Sequence, residues 1–209
     1  MSMEHEYALI GGYNRSHVGR WLGGAAALIS GLIVFLVLSA VDLAKALGLN
    51  VNLPPTLLSL VGAGAVYACL YWAFDRFAWR CVPLGRLLKV PNLAGVWECE
   101  GRPLESDVAQ PWSGEVTIIQ SWDKLRLHLE TKQSTSNSIS AALQYDAAVG
   151  YRLMYHYRNS PRVGEPLLAG HHGFAELTFA LDEQSATGDY FNGRGRNTFG
   201  TLQLRRKGH

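Results

Sequence analysis

Two long stretches near the N-terminus contain no charged residue, and they constrain the fold more than any other feature. The first, Trp21 to Val41, is 21 residues long, and the second, Ala46 to Phe74, is 29 residues long. A helix needs about 20 apolar residues to cross the hydrocarbon core of a bilayer. Proline is tolerated in the first turn of a helix, which places the start of the second helix at Pro54. The sequence therefore predicts a membrane helical hairpin with two transmembrane α-helices, over residues 21–41 and 54–77.

The positive charges that flank the two spans predict their orientation. They precede the first span and follow the second, at Arg15, Arg20, Arg76, Arg80, Arg86 and Lys89. The connector 42–53 holds one lysine and one aspartate. Because Lys and Arg are enriched on the cytoplasmic side, we expect both termini in the cytoplasm. Segment 1–20 is then cytoplasmic, 42–53 is a short periplasmic connector, and 78–91 is a juxtamembrane linker.

From residue 92 onward the apolar residues alternate with polar ones, as in Leu125, Leu127 and Leu129. A period of two is typical of β-strands with one buried face. Eight such segments occur, at 93–100, 114–122, 125–132, 138–146, 150–159, 173–181, 186–192 and 198–206. The polar segment 133–137 is expected to be a turn. The pattern predicts an all-β domain over residues 92–209, an eight-stranded antiparallel minimal β-barrel. A barrel of this size is wide enough to hold one small ligand.

Charge and motifs exclude several functions. Residues 92–209 contain twelve Lys or Arg and thirteen Asp or Glu, so the basic excess of a duplex nucleic-acid binder is missing. Neither charge-free stretch has an ionisable residue that would mark a transport pathway. The sequence lacks a nucleophile elbow, a Walker loop and a His-Glu-x-x-His motif. His171 and His172 would face opposite sides of a strand. We therefore expect no enzyme activity, no metal site and no cofactor.

Three sets of residues are candidates for binding a small anionic ligand. Arginine forks match phosphate oxygens, and aromatic rings stack on bases. The first set lies in the segment YFNGRGRNTFG, the second on the fifth strand and the third around the second turn. They are Tyr190, Arg194, Arg196 and Asn197; Tyr155, Tyr157 and Arg158; Trp122 and Arg126. A glycine-rich hairpin turn with solvated arginines is the alternative interpretation of the first set, and a barrel core is the alternative for the tyrosines.

The order of the parts and two stretches, LAGVWECEG at 93–101 and TGDYFNGRGRNTFGTLQLRR at 187–206, resemble a known family. These are the two-transmembrane β-barrel effectors of bacterial CBASS antiphage defence. The resemblance implies a lipocalin-like barrel that binds a 3′,3′-cyclic dinucleotide made by a cGAS/DncV-like nucleotidyltransferase. It also implies that binding drives homo-oligomerisation and disruption of the inner membrane, which causes abortive infection. The alternatives are a membrane-anchored lipocalin-like carrier of a small hydrophobic ligand and a structural or assembly protein.

Overall fold

The computed structural model describes residues 4–52, 54, 62–104, 110–164, 169–193 and 197–208. The chain divides into two compact units. Tyr13–Ala78 forms a helical unit. Met1–Gly12 and Trp79–His209 together form a β unit. The first residues of the chain therefore belong to the same unit as the C-terminal domain.

Helix α1 of the helical unit spans Arg15–Ala46. It begins after Asn14, whose side-chain oxygen accepts a hydrogen bond from the backbone N–H of Ser16 at 2.9 Å. It ends just before Gly48, which has a φ of +80°. The helix is longer than the predicted span 21–41 because no helix-breaking residue follows its apolar part. It is long and apolar enough to cross a membrane, and most of its side chains are exposed.

Helix α2 spans Ala63–Arg76 and lies within the second predicted span, 54–77. It packs against α1, whose buried residues Val18, Ala26 and Ser30 recur at four- and eight-residue intervals on one side. The N-terminal part of the second predicted span, residues 55–61, lies outside the described residues. The limits of that span therefore stay a prediction.

The β unit contains nine described strands, not the eight predicted. They are β1 His5–Ile10, β2 Gly95–Pro103, β3 Trp112–Gln120, β4 Lys124–Thr131, β5 Ser134–Asp146, β6 Gly150–Pro161, β7 His171–Phe179, β8 Ser185–Gly193 and β9 Phe199–Arg206. Strands β2 to β9 pair antiparallel with their neighbours in sequence, and β2 also pairs with β9. The sheet is a closed barrel. The predicted eight strands are thus present, but the purely antiparallel eight-stranded barrel is wrong.

The ninth strand, β1, lies within the segment predicted as a cytoplasmic N-terminal stretch. Strands β4 and β5 pair only near their hairpin and then separate, and β1 fills the gap between them. It pairs antiparallel with β4 and parallel with β5. At the point of separation the hydroxyl of Ser138 accepts a hydrogen bond from the N–H of Leu127 at 2.9 Å and lies 2.7 Å from His5 Nε2. Filling the gap removes two unpaired strand edges.

Residues 78–91, predicted as a linker, fold onto the barrel. They form a 3₁₀ turn, Ala78–Arg80, and helix α3, Val82–Leu88. Trp79 and Leu88 are completely buried. The side chain of Gln120, at the end of β3, accepts from the N–H of Leu93 at 2.8 Å and donates to the carbonyl of Pro91 at 3.1 Å. This segment therefore covers one end of the barrel, which we call the closed end.

Residues 134–137 of the predicted turn 133–137 are part of β5. The true turn is shorter, because Thr131 Oγ1 accepts from the N–H of Ser134 at 3.0 Å and leaves only two residues between the strands. The serines at 134, 136 and 138 then alternate toward the interior. Asn159 Nδ2 on β6 donates to the hydroxyls of Ser134 and Ser136, each at 2.9 Å. These side-chain hydrogen bonds extend the strand through a sequence that has low β-propensity.

Candidate ligand-binding cavity

A cavity of about 640 Å³ occupies the end of the barrel opposite the closed end. Small-molecule sites in proteins fall in the range of about 300–1,000 Å³. All eight antiparallel strands contribute inward-facing side chains to the lining. The polar and aromatic residues of the whole lining, on the strands and on the loops that join them, are Gln110, Trp112, Ser113, Thr131, Lys132, Gln133, Ser134, Ser136, Ser138, Tyr155, Tyr157, Asn159, His171, Tyr190, Asn192 and Thr198. The cavity is therefore formed by the closed wall of the barrel.

Three aromatic rings of the wall lie over glycines on neighbouring strands. The directly paired residues are Trp112 with Gly101, Tyr157 with Gly173 and Tyr190 with Gly200. A Cβ atom added at any of these glycines would overlap the ring of its partner. Each ring can lie close to the wall because its neighbour has no side chain. The centre of the barrel end consequently stays open.

Hydrogen bonds hold the β8–β9 side of the cavity. Tyr157 Oη donates to Asn192 Oδ1 at 2.7 Å, and Asn192 Nδ2 donates to Thr198 Oγ1 at 2.7 Å. Trp112 Nε1 donates to Tyr190 Oη at 3.4 Å, with the two rings edge to face. Both polar atoms of the Asn192 amide are thereby oriented by the wall. A side chain held in this way is suited to recognising a ligand without a large entropic cost.

The described lining of the cavity contains few charged side chains, and their sign matters for the ligand. Among the described lining residues there is no Asp or Glu, and Lys132 is the one residue with a full charge. Burial raises the pKa of Tyr155, with smaller effects from the neighbouring Cys99 and Tyr157, so its phenol stays neutral. Burial also raises the pKa of Cys99 to about 12. The described part of the wall therefore offers neutral hydrogen-bond donors and one cation, and it contains no carboxylate that would repel an anion.

We expect Gly101→Ala to disturb the cavity more than the fold. The nearest atoms to the new methyl group all belong to the Trp112 ring, which must turn and lose its contact with Tyr190. Ligand affinity should fall about tenfold or more, while the free energy of unfolding falls by about 1–3 kcal/mol. Calorimetric titration and denaturant unfolding measure the two quantities. Gly208→Ala is the control, because its methyl group would meet nothing within 4 Å and Gly208 is not part of the cavity lining. Equal affinity losses in both variants would contradict this role of Gly101.

The structure brings some of the predicted ligand-binding residues together. Tyr155, Tyr157 and Tyr190 line the cavity and are 7–8 % exposed. Asn197 is exposed and precedes Thr198, which is part of the lining. Arg194 and Arg196 lie outside the described residues. The tyrosines and the β8–β9 hairpin predicted from separate segments thus meet at one end of the barrel.

Three other predicted residues are not in the lining. Trp122 is completely buried elsewhere in the β unit. Arg126 lies on the outer face of β4, where Nη2 donates to Asn137 Oδ1 at 2.8 Å. Arg158 is exposed on the outer face of β6. Strand alternation explains both arginines, because each directly neighbours an inward-facing residue, Leu127 or Tyr157. The structure therefore gives these three residues no contact with the cavity.

Sequence reasoning missed Asn192, Trp112 and the inward serines of β5. The serines carried a signal, since STSNS places one at every second position from Ser134 to Ser138. Asn192 lies within the segment YFNGRGRNTFG, but nothing in a single sequence marks it or Trp112 as a lining residue. The importance of Trp112 depends on its register opposite Gly101, and that of Asn192 on its register with Gly173, over which Tyr157 of β6 reaches it.

The fold and the cavity define a class: a small closed barrel with a polar, aromatic cavity at one end, joined to an apolar helical unit. No group of three or more His, Cys, Asp or Glu residues in the described part of the chain is placed to hold a metal ion.

Comparison with known proteins identifies the family. Residues 88–206 match the family described as the cyclic dinucleotide receptor domain of Cap15, and residues 16–80 match the Cap15 transmembrane helices. CD-NTase-associated protein 15 of Yersinia aleksiciae is 45 % identical over 205 residues, 98 % of each chain. The chain therefore belongs to the Cap15 family of membrane-associated cyclic dinucleotide receptors. The resemblance predicted from the sequence is confirmed.

Proposed function

We propose that this protein is the effector of a CBASS antiphage system that acts at the bacterial inner membrane. A 3′,3′-cyclic dinucleotide made by a cognate cGAS/DncV-like nucleotidyltransferase binds in the barrel cavity. Binding drives homo-oligomerisation, the helices gather, and the inner membrane is disrupted. The infected cell then dies or stops growing before the phage matures. The protein performs no catalysis in this scheme.

The observation that carries the proposal is the charge and chemistry of the cavity wall. A cyclic dinucleotide has two bases that need aromatic faces and two phosphates that need donors and cations. Trp112, Tyr157 and Tyr190 supply the faces, and the described lining contains no carboxylate. Lys132 is a cation of the lining. We propose Arg194 and Arg196, with Asn197, as further phosphate contacts from the β8–β9 turn.

The pairing of β1 supports two membrane spans. Strand β1 precedes the helical unit, whereas its partners β4 and β5 follow it. Because all three belong to one barrel, the chain on either side of the helical unit lies on the same side of the membrane. An even number of crossings satisfies this requirement, and α1 and α2 form one pair. With the positive charges at Arg15, Arg20, Arg76 and Arg80, we propose that both termini are cytoplasmic.

A carrier of a hydrophobic ligand is the second candidate. The floor of the cavity favours it, because Val116, Leu127 and Leu202 are aliphatic. The remaining wall argues against it. An apolar ligand would bury the hydroxyls of Ser136 and Tyr157 and the amide of Asn159 without offering them partners beyond those in the wall.

The proposal is tested with full-length protein in dye-loaded lipid vesicles. We expect calorimetric heat with at least one member of a panel of 3′,3′-cyclic dinucleotides, and dye release that follows the same ligand order. Linear dinucleotides of the same bases are the controls. Absence of heat with every cyclic dinucleotide would refute the receptor role. Binding without any dye release would refute membrane disruption and leave the receptor role standing.

A further inference from the structure

The outer surface of the barrel carries a row of large side chains near the cavity end. Phe199 on β9 pairs directly with Phe191 on β8, which pairs with Phe174 on β7, which pairs with His156 on β6. We call these four residues the outer aromatic row. Phe191 and Phe199 are about half exposed, at 57 % and 49 %. The rings of Phe174 and Phe191 stack at 5.6 Å, and His156 stacks on His172 at 5.2 Å.

Arginine and carboxylate side chains border the row on opposite sides. On its cavity side lies Arg158 on β6, which pairs in register with His172 on β7. On its other side lie Glu176 and Asp189, which pair in register on β7 and β8. Glu176 also contacts Arg152 at 3.0 Å. The row therefore has one basic and one acidic margin.

This arrangement is complementary to itself. Two copies related by a two-fold axis that runs along the row would place the basic margin of each against the acidic margin of the other. The aromatic rings would face each other between the margins. Isologous contacts of this kind are the commonest in homo-oligomers, and complementary charges fix the register of the two surfaces.

The size of the surface indicates a weak contact. Adjacent strands are about 4.8 Å apart, so four residues on consecutive strands span about 15 Å, and the row with its margins covers on the order of 300 Å². A stable interface buries about 800 Å² per partner. Copies held in one membrane have a much higher effective concentration, which allows a weak contact to matter.

We propose that the outer aromatic row and its charged margins are the surface through which two copies of this chain associate on the membrane. The inference extends the proposed assembly step, and it names the surface that the step would use.

The test uses the full-length protein in lipid vesicles, with donor- and acceptor-labelled pools and energy transfer as the readout. Transfer is measured against protein density, with and without a panel of 3′,3′-cyclic dinucleotides. We expect Phe191→Glu to lower transfer at least fivefold at equal density, because it buries a carboxylate in the contact. Phe199→Glu should act in the same direction. Ile119→Glu is the matched control, since Ile119 is an exposed apolar residue on the outer face of β3.

A substitution in the charged margins provides a second test in the same experiment. Asp189→Lys should lower transfer severalfold at low salt and less at high salt, because screening weakens surface charges. Wild-type transfer in both phenylalanine variants would overturn the proposal, as would an equal loss in Ile119→Glu. If no cyclic dinucleotide gives calorimetric heat of binding, the proposed function fails. The dependence of energy transfer on protein density in the variants still shows whether the row is an interface.

Discussion

Asn192→Asp is expected to weaken cyclic dinucleotide binding about 100-fold while leaving the barrel folded. The carboxylate still accepts from Tyr157 Oη, and the hydrogen bond to Thr198 is kept with its direction reversed, because the Thr198 hydroxyl can donate to the carboxylate. The new negative charge faces a cavity with no carboxylate among its described lining residues. At an effective dielectric constant of about 20, two charges about 5 Å apart repel by about 3 kcal/mol. That energy corresponds to the expected factor.

The same variant separates the two candidate functions. A neutral hydrophobic ligand would lose little affinity, since it has no charge for the carboxylate to repel. Calorimetric titration with a cyclic dinucleotide and with a fatty acid ester gives the comparison. Asn137→Asp is the control, because Asn137 lies on the outer face, where it accepts from Arg126. An unchanged cyclic dinucleotide affinity in Asn192→Asp would place the anionic ligand outside this cavity.

Removal of the first 91 residues is expected to unfold the barrel. The sequence places the start of the β domain at residue 92, whereas the folded unit includes β1 and residues from Trp79 onward. Tyr7, Trp79, Leu88 and Val90 are each at most 2 % exposed. Burying each such side chain contributes about 1.5–3 kcal/mol, so their loss costs about 6–12 kcal/mol. That is comparable to the whole stability of a typical domain.

A variant that keeps these residues is the matched comparison. Replacing residues 13–78 by about ten Gly and Ser residues retains β1 and the segment that covers the closed end, and loop closure at this length costs little. We expect this variant to be soluble, folded and able to bind the ligand, whereas fragment 92–209 aggregates or lacks cooperative unfolding. Thermal unfolding followed by circular dichroism distinguishes them. Equal melting temperatures would show that β1 and Trp79 contribute little.

The strands of the barrel were predictable from the sequence where apolar and polar residues alternate along one continuous segment of eight or more residues. Segments such as 125–132 and 150–159 have inward and outward faces that the structure confirms. Strand β1 was missed because only its six residues carry the pattern and its partners lie about 130 residues later in the chain. The sequence predicts a linker at 78–91 because Trp79, next to a span, is typical of an aromatic membrane anchor. Nothing local in the sequence indicates that Trp79 and Leu88 are buried in the β unit.

The candidate site was predictable in part. Tyr155, Tyr157 and Tyr190 combine aromatic rings with hydroxyls, a composition that suits a polar cavity as well as a core. Strand alternation alone would have placed Arg158 on the outer face, since it follows Tyr157 directly. The open shape of the cavity cannot be predicted from a single sequence. It depends on registers that set Gly101, Gly173 and Gly200 under aromatic rings, and register is a long-range property.

The position of β1 also constrains the order in which the protein folds. Ribosomes deliver its six residues first, yet the β5 residues Ala141 to Gln144 that pair with Tyr7 to Ile10 emerge only after both helices have been synthesised. The seam between β4 and β5 therefore cannot close during most of translation. Contacts of such high sequence separation form slowly. Residues 13–78 are thus synthesised while β1 still lacks its strand partners, so the barrel can be completed only after the whole helical unit has left the ribosome.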